Sequence, residues 1–247
     1  MDLECIHTLV QLNNEFYRAN HESFSQTREK PWVGWERVLT HVKASPTPFE
    51  VLDVACGNMR FERYMSQAFA SSDIRYTCID SCADFATSHE RAVFQRLDVI
   101  EMLIGESCLA ELLGDSYNMV VSFGFLHHVP SYELRLRLIR NMAECLCPES
   151  ILAISFWRFM DDARLRRKAL STTQEALPVF ELDLEHGDYL LDWNLQTGRY
   201  RYCHHFEEEE IASLVDAVSD LCELVEQFEA DGKSGHLNTY VILRKKD

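Results

Sequence analysis

The chain has 247 residues, 47% of them hydrophobic, and a formal net charge of −16. That length and apolar content suit one large α/β domain with a sizeable core. The acidic balance repels polyanions at long range, so a nucleic-acid substrate would need a local basic patch or a partner subunit. The first twenty residues contain Asp2, Glu4 and Glu15, which excludes a secretory leader, and no apolar run approaches the ~18 residues of a membrane span. No membrane association and a cytoplasmic location are expected. Nine cysteines, without paired C-x-x-C knuckles, read as reduced thiols, and no metal site is expected.

In chain order, residues 1–44 read as a mostly helical N-terminal cap, with polar breaks near Asn20 and Pro31. "ASPTP" at 44–48 is a linker, because its two prolines block helix. "FEVLDVA" is then a buried strand. "MRFERYMSQAFA" places Phe61, Tyr64, Met65 and Ala68 on one helical face. "IRYTCID", "FQRLDV" and "YNMVVSFGF" are the second, third and fourth strands. "SYELRLRLIRNMAECL" is a helix striped by Leu134, Leu138, Ile139 and Met142, and Pro148 ends it. "SILAISFW" is the fifth strand, which closes a core spanning residues 45–157. Residues 158–206 form a charged, aromatic and irregular insertion on the substrate side. "FEEEEIASLVDAV" opens a helix whose acids suit the positive end of its dipole. "CELVEQFEA" and "NTYVILRK" follow as an antiparallel pair, so residues 207–247 close the sheet. The expected fold is α/β: a Rossmann-like, doubly wound, mainly parallel seven-stranded sheet with a terminal antiparallel pair and an inserted lobe.

In such a sheet a ligand sits at the carboxyl ends of the strands, near the switch point. Asp53 to Gly57 lies where strand one ends, and Gly57 lets backbone approach a ligand closely. The three-glycine fingerprint of dinucleotide sites is missing, so no pyrophosphate is cradled there. Asp80 ends strand two, where a carboxylate can accept from both ribose hydroxyls. Asp98 ends strand three, within reach of an adenine amino group. Three acid-ended strands at these spacings resemble the class I S-adenosylmethionine-dependent methyltransferases. That resemblance implies S-adenosyl-L-methionine as cofactor, with Ala55, Ser81, Val99 and Ser122 flanking the acids. A dinucleotide or nucleotide-sugar fold is the alternative, weakened by the missing glycines. Met59 stands where that superfamily usually has glycine, which would make the loop less open.

Further stretches narrow the resemblance. They are "FSQTREKPW" at 24–32, "SFGFLHHV" at 122–129, "GDYLLDW" at 187–193, "RYCHHF" at 201–206 and "LNTYVILRKK" at 237–246. Together they resemble the tRNA wobble-uridine carboxymethyl methyltransferases, which carry F-S-x-T-R-x-K-P-W, I-H-H, D-x-L-x-x-W, R-Y-Y-H-x-F and N-W-x-V-I-x-x-K in the same order. Cys203 replaces a tyrosine, Asp192 a proline and Thr239 a tryptophan. The resemblance also implies an activating zinc-binding protein partner on the side of the sheet that carries residues 99–117. That segment is longer and more apolar than the family's loop, a departure at that contact.

Methylating a carboxylate needs position and charge balance and no general base, since the nucleophile is already ionised near neutral pH. Arginine's fork suits it. Arg28 and Arg201 are the expected clamp, with His204 as a donor and His127 beside the expected methyl position; His128 next to it is a candidate core histidine. Trp32 is expected to cover the cofactor. Trp193 is expected to stack on a substrate base, with Asp188 and Tyr202 beside the substrate. The expected activity is esterification of a carboxylate on a modified tRNA wobble uridine or related substrate. The alternatives are a small-molecule carboxyl- or O-methyltransferase and a non-catalytic cofactor-binding subunit. The basic run 158–168 reads as an exposed helix face or a nucleic-acid contact.

Overall fold

The computed structural model describes residues 1–26, 30–43, 48–85, 89–192 and 199–247. Seven strands form one sheet: β1 (Phe49–Val54), β2 (Ile74–Asp80), β3 (Ala92–Arg96), β4 (Tyr117–Ser122), β5 (Leu146–Trp157), β8 (Cys222–Ala230) and β9 (Asn238–Lys245). Their order is β3-β2-β1-β4-β5-β9-β8. Strands β3 to β5 pair in parallel, while β9 runs antiparallel to both β5 and β8. The order reverses between β1 and β4, which opens a crevice at their carboxyl ends.

Near-continuous apolar strands are buried on both faces, as the doubly wound sheet requires. Alternate side chains enter opposite cores. Leu52, Val54, Val120 and Leu152 join one cluster, with helices α4 (Val99–Ile104), α6 (Tyr132–Glu144) and α8 (Glu208–Asp216). Val51, Met119, Val121 and Ala153 join the other, with α2 (Gly34–Leu39) and α3 (Arg60–Ala68).

Several local expectations are corrected. Helix α1 (Leu3–Gln26) runs through Asn20, because that buried side chain donates to the Phe16 carbonyl at 2.8 Å instead of breaking the helix. Helix α6 ends before Pro148, which lies inside β5, between Leu146 and Ile151, where the pairing with β4 shifts register. A strand position that needs no ladder donor tolerates proline. Strand β3 stops at Arg96, and Asp98 caps α4 by accepting from the Ile100 and Glu101 N–H groups. Residues 99–117 carry α4 and α5 (Leu109–Leu113).

The insertion after β5 is ordered structure. It holds α7 (Ala163–Phe180) and a separate antiparallel hairpin of β6 (Asp188–Asp192) and β7 (Tyr200–His204). Thr173 of α7 pins the hairpin by accepting from the Leu190 N–H at 2.9 Å. Leu9 of α1 packs with Leu190 and Tyr202 in a small core of their own. This contact brings the N-terminal helix and the hairpin together over the carboxyl ends of the strands.

Candidate functional site

A cavity of about 730 Å³ opens at those strand ends. Of the sixteen residues singled out from the sequence, ten line it. Asp53, Ala55 and Gly57 come from the β1 end, and Asp80 and Ser81 from the β2 end. Asp98 and Val99 start α4, Trp32 precedes α2, His127 follows β4, and Arg201 lies on β7.

Gly57 has φ +52°, and a Cβ there would meet nothing within 4 Å, so its backbone borders open cavity. Its N–H donates to Asp80 Oδ2 at 3.0 Å, and the Cys82 N–H donates to Oδ1 at 2.9 Å. Burial nevertheless pushes the Asp80 carboxyl up to about 6, against the pull of those two N–H groups. Asp53 is pushed up too, by burial first and then by the neighbouring Glu62. Two carboxyls sealed together favour sharing a proton.

Met59 does not close the loop. It adopts φ +53°, the conformation that glycine would take, and its side chain is 1% exposed in the core with Phe61 and Met65. The cavity wall passes it by.

The N-terminal helix supplies what the sequence reading missed. Val10, Asn13, Asn14 and Tyr17 line the cavity from one face of α1. Asn14 donates to Asp98 Oδ2 at 2.9 Å and accepts from Ser81 at 3.3 Å, so it joins the ends of β2 and β3. The 10, 13, 14, 17 spacing is a helical stripe, a signal that was available in the sequence.

Around Arg201 the wall is aromatic. Its guanidinium lies 5.3 Å from the Phe16 ring and 5.7 Å from the Trp157 ring, and it donates to the Tyr17 hydroxyl at 3.1 Å. The His127 ring packs 4.8 Å from Trp157 and 4.0 Å from His128. His127, His128 and Cys203 bring ligand atoms within 4.8 Å of one another. His128, however, has Nδ1 on the Tyr202 carbonyl at 2.8 Å and Nε2 on the Tyr17 hydroxyl at 2.6 Å, leaving no lone pair for an ion.

Four expectations do not fit the geometry. Ser122 turns inward and donates to the Val54 carbonyl at 3.1 Å. His204, Asp188 and Tyr202 do not line the cavity. Instead His204 is buried between Asp188 and Glu210, at 2.7 Å from each, and the Tyr202 hydroxyl donates to Asp188 at 2.7 Å. Arg135 completes the set by donating to Glu210 at 2.9 Å. These groups lock the hairpin to the body of the protein, so direct substrate contact is corrected to a structural role. Arg28 and Trp193 lie outside the described residues.

The fold, and the acids and glycine at the ends of its strands, are those of a methyltransferase. The chain belongs to the family described as a methyltransferase domain, which it matches over residues 15–218. A protein of Encephalitozoon cuniculi (strain GB-M1) named as a methyltransferase is 24% identical over 201 residues, covering 81% of this chain and 83% of that protein. The tRNA (carboxymethyluridine(34)-5-O)-methyltransferase ALKBH8 of Mus musculus is 26% identical over 162 residues, 64% of this chain and 21% of that much longer protein. Among solved structures, a SAM-dependent methyltransferase of Methanosarcina mazei shares the fold with a TM-score of 0.60 at 19% identity, covering 85% of this chain and 97% of that one.

Proposed function

We propose that this methyltransferase takes S-adenosylmethionine as methyl donor and esterifies a carboxylate on a modified tRNA wobble uridine or a related nucleoside. The cofactor fits the residues present. The open space at Gly57, the Asp80 carboxylate and the Asp98 and Val99 edge match an amino-acid tail, a ribose and an adenine in that order along the strands. Bound there, the cofactor would supply an electrophilic methyl on a sulfonium.

The observation that carries the carboxylate reading is Arg201, a buried guanidinium on the cavity wall, held by Tyr17 and facing Trp157. A guanidinium binds a carboxylate through two parallel hydrogen bonds, which fixes the nucleophilic oxygen without deprotonating anything. His127 and Trp157 form a flat wall suited to a planar base. The likeness to a named carboxymethyluridine methyltransferase supports the nucleoside.

A small-molecule carboxylate is the second reading, favoured by the net charge of −16, which opposes a polyanionic substrate. Arg201→Ala and Arg201→Lys test the clamp. Transfer should be lost or strongly reduced while S-adenosylhomocysteine still binds. Equal loss of transfer and cofactor affinity would contradict the assignment.

A further inference from the structure

The cavity wall holds a second buried guanidinium, from Arg60 in the first turn of α3, three residues past Gly57. We propose that Arg60 binds the α-carboxylate of the cofactor's amino-acid tail, so that each of the two arginines serves a different anion. This assignment rests on the reading that the cavity takes S-adenosylmethionine.

Three observations carry it. First, Arg60 lies flat against two indoles, 5.2 Å from the Trp32 ring and 4.9 Å from the Trp35 ring. That stacking fixes the plane of the guanidinium. Second, one arm is anchored, because Nη1 donates to the Lys30 carbonyl at 2.8 Å. Nε is buried and has no hydrogen-bond partner. The Nε edge is therefore the one presented for a two-pronged bond to a carboxylate. A buried donor left unmade is costly, and a ligand oxygen would satisfy it.

Third, strand order sets the direction of the ligand. Asp98 and Asp80, at the β3 and β2 ends, suit a nucleoside and repel a carboxylate. The tail must then run past Gly57 toward β4, where Trp32 lies against Gly124. Arg60 lies on that route. The acid nearest in charge, Asp231, already accepts from the Gly34 N–H at 3.2 Å, Asn238 at 2.9 Å and the Tyr240 hydroxyl at 2.6 Å. Arg201, by contrast, sits on the added hairpin with Tyr17 and Trp157, away from the Gly57 loop in the chain.

The test is calorimetric and needs no turnover. S-adenosylhomocysteine and its analogue lacking the α-carboxylate would be titrated into the wild-type protein, Arg60→Met and Arg60→Lys, each with its melting temperature measured. Wild type should prefer the carboxylate-bearing compound by ~10–100-fold, the range for hydrogen bonds to a charged group. Arg60→Met should erase that preference while leaving the analogue's affinity unchanged, and Arg60→Lys should keep part of it. A preference that survives Arg60→Met overturns the assignment, as does an equal loss for both compounds. Wild type binding neither compound overturns the cofactor reading itself. Wild type binding both with equal affinity overturns the Arg60 assignment alone.

Discussion

The hydroxyl of Tyr17 lies 2.6 Å from Nε2 of His128, joining the N-terminal helix to the turn after β4. The carbonyl of Tyr202 can only accept, so His128 carries its proton on Nδ1 and takes the Tyr17 proton at Nε2. The Tyr17 oxygen is thereby left to accept from Arg201. One tautomer thus orients one hydroxyl, and that hydroxyl orients the guanidinium on the cavity wall.

Tyr17→Phe removes both bonds and keeps the ring. A hydrogen bond to a charged group contributes about 1.5–3 kcal/mol, so methyl transfer should fall by roughly 10–100-fold. The loss should appear in KM for the methyl acceptor, while S-adenosylhomocysteine affinity stays the same. Steady-state kinetics beside calorimetry separates the two. A parallel fall in cofactor affinity would contradict the relay.

Cofactor binding should weaken in acid. Asp80 titrates near 6 because burial outweighs its two N–H donors, and only the ionised form accepts from two hydroxyls. Below about pH 6, affinity for S-adenosylhomocysteine should fall by up to about tenfold per pH unit. The group's effect on folding has the opposite sign. Its folded pKa is raised from 3.8, so its contribution to stability is full below that value and lost as pH rises through about 6. Calorimetry between pH 5 and 8 tests the first statement, with Asp80→Asn expected to remove the pH dependence along with most of the affinity.

Met59→Gly should leave cofactor affinity unchanged, because the side chain faces the core and not the cavity. Losing a buried methionine costs about 2–5 kcal/mol, and releasing the left-handed backbone returns about 1–2, for a net destabilisation of about 1–3 kcal/mol. Urea unfolding measures the change. A gain in cofactor affinity would show that Met59 does obstruct the loop.

His204→Ala should damage the fold before the chemistry. It leaves Asp188 and Glu210 without the group between them, and breaking a buried charged network typically costs about 3–5 kcal/mol. The variant should melt markedly lower, yet bind S-adenosylhomocysteine normally wherever it is still folded. Unchanged stability with abolished transfer would return His204 to the catalytic set.

The sheet was legible because strand and helix periods differ and because both faces of the strands are apolar. Residues 74–80, 222–230 and 238–245 form strands with the bounds that the pattern predicts. The cofactor-side acids were legible for a related reason: strand ends place Asp53, Asp80 and Asp98 at the crevice in any sheet of this order. The hairpin of β6 and β7 was not legible, because its strands pair only with each other and are held by Thr173 and α1, contacts between distant parts of the chain. His204 and Tyr202 carry polar atoms that suit chemistry, and only the fold shows that Asp188 and Glu210 take them. Arg60 was hidden by its place in a helix whose apolar stripe drew the reading to Phe61 and Met65.

The central claim is transfer of a methyl group to a carboxylate. Radiolabelled S-adenosylmethionine would be incubated with the protein and total tRNA, and separately with a small-metabolite extract. Products would be treated with mild base and the volatile methanol counted. The account predicts base-labile label in the tRNA, lost in Arg201→Ala. Base-stable label, or label confined to the metabolite extract, would contradict it.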